Sequence, residues 1–218
     1  CIPHWYFVSY ILKSIFISHF SQASMKPKIK FCGMRRKEDI EFAESLNVDF
    51  VGFVFVPSSP RAITPEEVAM IRGSMSSASV VGVFVSPTIE DLQKAVQLAN
   101  LQYVQIYNNI PSGDIEVPII RAFRGVPSIE ILEQTLQQFS YILIDKAEGQ
   151  ESVHMQDLEK IPYEILSKTF IAGGVNAKNI KRAMQFQPFA IDTARGIESS
   201  PGIKDPALMK EFLSTVHS

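Results

Sequence analysis

The sequence predicts one small α/β domain folded as a closed (β/α)8 barrel of the TIM type, with a shortened helix after its fourth strand. Three observations predict it. From Lys28 onward, eight strand-like runs alternate with about seven helix-like segments. Several of the strand-like runs are nearly continuous in apolar character, the habit of parallel strands covered on both faces. An internal echo, "VGFVFVPS" at Val51 and "VGVFVSPT" at Val81, repeats after one strand–helix unit. Eight such units suit a closed ring. The rival, an open doubly wound sheet, calls for a glycine fingerprint after the first strand, and "CGMRRK" does not supply one.

In order, the strand-like runs are "KIKFCG" (28–33), "DFVGFVF" (49–55), "SVVGVFV" (79–85), "QYVQIY" (102–107), "PIIRAF" (118–123), "YILID" (141–145), "TFIAGG" (169–174) and "FAIDTA" (189–194). Between them, "RKEDIEFAESLN" places Ile40, Ala43 and Leu46 on one stripe. "TPEEVAMIRGSM" begins with Thr64 as N-cap, Pro65 at the first helical position and two acids in the first turn. "TIEDLQKAVQLAN", "SIEILEQTLQQF", "NAKNIKRAMQF" and "DPALMKEFLSTV" each open on Thr, Ser, Asn or Asp. The stretch "NNIPSGDIEV" after strand four leaves room for a turn or two.

Composition sets the class. The chain has 218 residues, 46% hydrophobic and 20% charged, with a net charge of −2. A domain this long buries enough surface to need no disulfide, and the two cysteines, Cys1 and Cys32, make no framework and no zinc-type spacing. Near-neutral charge without a basic run argues against nucleic acid as a partner. Residues 1–24, "CIPHWYFVSYILKSIFISHFSQAS", differ from the rest: aromatic, with one lysine and no acid. One reading is a signal peptide, since "YILKSIF" is apolar and small residues follow. Against it, Lys13, Ser14 and His19 interrupt the run and a charged start is missing. The run is also too short and broken for a membrane span. They are expected to be a disordered extension or the product of a misplaced start, with the barrel occupying residues 25–218.

Catalytic groups of such barrels sit at the carboxyl ends of the strands. Those ends present Cys32, Arg61 (in the loop after strand two), Tyr107, Asn108, Arg121, Arg124, Asp145, Lys146, Gly173, Gly174, Asp192, Arg195 and Gly196. Cys32 is either an inert buried thiol or a base activated by positive neighbours such as Arg35 or Arg36. Asp145 closes an apolar strand with no helix directly behind it, so it is an acid held at the mouth or a cap. Gly173–Gly174 either turn the chain or let backbone amides approach a phosphate, as loops after strands seven and eight commonly do. Arg61 either forks onto a substrate carboxylate or is solvated.

Taken in register, "KIKFCGM", "VGFVFVPSSPRAIT", "VGVFVS", "YILID", "IAGGVNAKNI" and "AIDTARGIESSPGIKD" resemble the phosphoribosylanthranilate isomerases of tryptophan biosynthesis, from about Lys28 to Asp205. The resemblance implies an Amadori rearrangement of N-(5-phosphoribosyl)anthranilate to 1-(2-carboxyphenylamino)-1-deoxyribulose 5-phosphate, without metal or cofactor. It assigns Cys32 as general base, Asp145 as general acid and Arg61 to the anthranilate carboxylate. Gly173, Gly174, Arg195 and Gly196 fall to the phosphate, and Asp192 to the ribose. It implies a cytoplasmic enzyme acting on a phosphorylated small molecule, with no nucleic-acid or membrane partner, as monomer or homodimer.

Three departures stand out. Strand four ends Gln105-Ile106-Tyr107-Asn108 where the family has Gln-Leu-His-Gly. The loop after strand six holds the single glycine Gly149, and Thr193-Ala194-Arg195-Gly196 replaces an aspartate-flanking Ser-Ser-Gly. They motivate a rival reading: a barrel that keeps a phosphate pocket with weak or no turnover, or that isomerises a related phosphoribosyl compound. The histidine-pathway aldose–ketose isomerase is expected to carry aspartate where Cys32 stands.

Overall fold

The computed structural model describes residues 26–73, 75 and 77–218; the expected extension at 1–24 lies outside them. Eight parallel strands close into a barrel in chain order: β1 (Lys28–Cys32), β2 (Phe50–Val54), β3 (Ser79–Val85), β4 (Tyr103–Tyr107), β5 (Ile119–Arg124), β6 (Tyr141–Asp145), β7 (Thr169–Ile171) and β8 (Ala190–Thr193). Pairing of β8 with β1, Ile29 opposite Ile191 and Lys30 opposite Asp192, closes the ring and rules out the open sheet.

Strand periodicity divides the side chains into two cores. Ile29, Phe31, Val51, Val80, Val104, Ile142 and Ile191 face outward against the helices. Phe50, Val81, Val83, Ile120, Leu143, Phe170 and Ala190 fill the ring. At the amino ends, Phe50, Tyr103, Tyr141, Phe170 and Phe189 stack with centroid distances of 4.4–6.2 Å. That plug closes one end of the barrel, so the mouth lies at the other.

The helices are α1 (Lys37–Ser45), α2 (Pro65–Ile71), α3 (Ile89–Ala99), α4 (Ile129–Gln138), α5 (Met155–Leu158), α6 (Tyr163–Leu166), α7 (Ile180–Met184) and α8 (Pro206–His217). Thr64 forms a full capping box with Glu67, and Thr88, Ser128 and Asp205 cap α3, α4 and α8 through their side chains. Asn176 does not cap α7. Its Oδ1 accepts from the Lys178 amide at 2.9 Å, building a turn that delays the helix to Ile180. The shortened helix expected after β4 is absent: residues 108–118 form irregular chain. Two prolines and a glycine in "NNIPSGDIEVP" explain why no helical ladder forms there. No described helix is long and apolar enough to cross a membrane.

Candidate active site

The mouth holds a cavity of about 240 Å³ lined by Arg61, Asp145, Gly173, Gly174, Asp192, Arg195 and Gly196, together with Lys146, Ala172, Val175 and Ala194. Seven of the eight residues to which the resemblance assigns a role thus share one wall. The glycines are there for space. A Cβ on Gly173 would run into the backbone of Lys146 and the Asp145 carboxylate, and one on Gly174 into the carbonyl of Glu151. Both have positive φ, 79° and 74°, where an L side chain is strained. Arg195 lines the same cavity and donates from one guanidinium nitrogen to Glu151 O at 2.9 Å.

Cys32, the eighth, lies deeper. It is 6% exposed and points into the ring rather than into the cavity wall. Its register partner is Gly52. A Cβ there would approach Cys32 Sγ to 2.7 Å and Lys30 Cε to 3.2 Å, so the glycine makes the space for both side chains. Burial pushes the thiol pKa up, while Lys30, and more weakly Lys204, pull it down. Arg35 and Arg36, expected as the positive neighbours, are turned elsewhere: Arg36 forks onto Asp39 and Arg35 reaches Pro60 O.

The positive charge inside the ring is Lys30, fully buried, with Nζ donating to Asp192 Oδ1 and Gln105 Oε1, both at 2.9 Å. Burial alone would lower its pKa; Asp192 and the Cys32 thiol outweigh it, and the ammonium is held above its ordinary range. Burial pushes Asp192 up and Lys30 opposes it. Gln105 Nε2 donates to the Tyr107 hydroxyl at 3.2 Å, and Tyr107 donates to Asp145 Oδ2 at 2.9 Å. The Lys146 amide donates to the other carboxylate oxygen at 2.7 Å.

Arg61 is not free. Its Nε and one terminal nitrogen fork onto Glu198 at 2.8 and 2.6 Å. Glu198 also accepts from Lys204 Nζ at 2.8 Å, and Lys204 donates to Cys32 O at 2.6 Å. Burial alone would raise Glu198; Arg61 and Lys204 hold it below the usual carboxylate range. The Arg61 stem lies over Gly33, which has no Cβ to obstruct it.

Sequence reasoning missed Lys30, Gln105, Glu198 and Lys204. For Lys30 the signal was present: in "KIKFC" it shares the period-2 face with Cys32. Gln105 precedes Tyr107 by the same spacing. Glu198 and Lys204 carried no comparable signal, because a hairpin outside the barrel delivers them.

A model of the family described as N-(5'-phosphoribosyl)anthranilate (PRA) isomerase matches residues 29–215. An N-(5'-phosphoribosyl)anthranilate isomerase of Streptococcus gordonii is 34% identical over 195 residues, 87% of this chain and 97% of that protein. The phosphoribosyl anthranilate isomerase structure from Thermus thermophilus superposes with TM-score 0.75 at 25% identity, covering 87% of this chain and 98% of that one. A further isomerase structure, solved in complex with reduced 1-(o-carboxyphenylamino)-1-deoxyribulose 5-phosphate, matches at 29% identity and TM-score 0.68, covering 88% and 98%. By family model, sequence and fold together, the chain belongs to the phosphoribosylanthranilate isomerase family.

Proposed function

We propose that this chain, an isomerase of tryptophan biosynthesis, rearranges N-(5'-phosphoribosyl)anthranilate with Asp145 as general acid and Cys32 as general base. One observation carries the assignment. The Asp145 carboxyl, an anion-suited wall of Gly173, Gly174 and Arg195, and a thiol beside a buried ammonium all occupy the carboxyl end of one barrel.

Asp145 gives its proton to the furanose ring oxygen as the C1′–O bond breaks, leaving an open-chain Schiff-base cation. The Cys32 thiolate takes the proton from C2′; the C2′–H electron pair forms the C1′=C2′ bond and neutralises the iminium nitrogen. The resulting enolamine tautomerises to the 2-keto product. Burial favours the protonated thiol at rest, so the base acts through a minor thiolate population stabilised by the Lys30 ammonium. Arg61 meets the anthranilate carboxylate with the donors Glu198 leaves open. Gly173, Gly174, Arg195 and Gly196 seat the phosphate, and Asp192 offers its cavity-facing oxygen to a ribose hydroxyl. A cytoplasmic setting accompanies this reading, since a phosphorylated substrate does not leave the cell by diffusion.

Loss of substrate fluorescence tests it. Cys32→Ala and Asp145→Asn should each lower kcat by about 10²–10⁴-fold while the melting transition persists. A parent chain that binds the substrate yet consumes none would favour the rival, a phosphate-binding barrel without turnover.

A further inference from the structure

We infer that Tyr107 is a positioning residue for Asp145, its hydroxyl proton committed by a chain of one-way donors that begins at Lys30. The inference rests on the reading of Asp145 as the acid and extends it. No role for Tyr107 follows from the cavity, whose wall it does not join.

The inventory of donors and acceptors fixes each link. An ammonium only donates, so the oxygen of the Gln105 amide must face Lys30 Nζ. The amide nitrogen is then left to donate to the Tyr107 oxygen. A phenol has one proton, and with its oxygen already accepting, that proton goes to Asp145 Oδ2. Every link is buried or nearly so, and the Lys30 end is anchored by Asp192. Burial first, then the charge of Asp145, keeps the phenol protonated well above its ordinary range, so the donor does not switch off.

The consequence is chemical. A fixed O–H on Oδ2 and a fixed amide on Oδ1 hold the carboxyl plane and stabilise the carboxylate left after the proton has passed to the ring oxygen. Other groups bear on Asp145. Arg124 is its register partner on β5 and lies 5.2 Å over the Tyr107 ring. Asp192 faces it from β8, and Lys146, Arg61 and Arg195 line the shared cavity. Phenylalanine at 107 retains the ring under Arg124 and leaves those charges in place, removing the hydroxyl alone.

The experiment compares Tyr107→Phe, 3-fluorotyrosine at position 107, and Asp145→Asn. It reads kcat and KM for each. Tyr107→Phe should lower kcat by about 10- to 100-fold with KM within about twofold. The fluorinated residue keeps the hydroxyl and is nearly isosteric, so folding is not at issue, and it should hold kcat within about threefold of the parent. A Tyr107→Phe kcat within about twofold of the parent, with Asp145→Asn inactive, would overturn the role of Tyr107 alone. An active Asp145→Asn would instead overturn the acid assignment on which it rests.

Discussion

At the residue scale, the thiol depends on an atom its neighbour lacks. Gly52 faces Cys32 across the β1–β2 pair, and an added Cβ would come within 2.7 Å of the sulfur. Interiors this dense do not absorb a methyl without displacing something. Gly52→Ala should therefore fold with a loss of about 1–3 kcal/mol, read by thermal melting. Its kcat should fall at least about tenfold, because the displaced sulfur leaves both Lys30 and its line to the mouth. Unchanged turnover in a folded Gly52→Ala protein would mean that the position of the thiol is immaterial. This dependence was only half legible in the sequence. Cys32 was read as the last residue of a strand, whereas Lys30, on the same period-2 face, was missed although its spacing showed it. That a glycine on the adjacent strand makes room for both needed the register of β1 against β2.

At the element scale, the short hairpin after β8 governs the rim. A 3-10 turn at Arg195–Ile197 leads into β9 (Glu198–Ser200) and its antiparallel partner β10 (Ile203–Lys204). Its two ends supply Glu198 and Lys204, whose side chains are almost wholly buried. Together they bind Arg61 from the β2 loop and the carbonyls that end β1 and β8. Glu198→Gln should cost about 1–3 kcal/mol of stability at neutral pH by weakening these charged hydrogen bonds. The sign with pH follows from linkage. Glu198 has a folded pKa below its unfolded value, so its contribution is complete above the unfolded pKa and is lost as pH falls through the folded one. Urea melts of parent and Glu198→Gln should accordingly begin to converge as pH falls below about 4.3, the unfolded value, and meet below the folded pKa; a gap that does not shrink in acid would place the contribution elsewhere. Nothing in "GIESSPGIKD" distinguishes a hairpin tucked under the mouth from an exposed loop. Arg61 was thus legible as a rim arginine, but the carboxylate already occupying its fork was not.

At the scale of the whole molecule, the barrel itself was the most legible feature. The strands were readable because several are nearly continuous in apolar character, and the caps at Thr64, Thr88, Ser128 and Asp205 announced four helices. The segment after β4 was overestimated as a short helix, and Asn176 as a cap. Both errors concern local hydrogen bonds that turn residues take for themselves. The wall of the cavity was readable because barrel topology sends strand ends to one face. The chain of donors from Lys30 to Asp145 was not, because three strands must be aligned before Gln105 and Tyr107 join it. What the assembled molecule proposes is that one mouth holds acid, base and phosphate seat around a single substrate. A crystal structure of this chain with reduced 1-(o-carboxyphenylamino)-1-deoxyribulose 5-phosphate measures that directly. The account predicts the phosphate against Gly173, Gly174 and Arg195, O4′ at the Asp145 carboxyl, and C2′ roughly 3–3.5 Å from Cys32 Sγ. A ligand seated with its C2′ beyond reach of the sulfur, or with its phosphate away from those glycines, would contradict it.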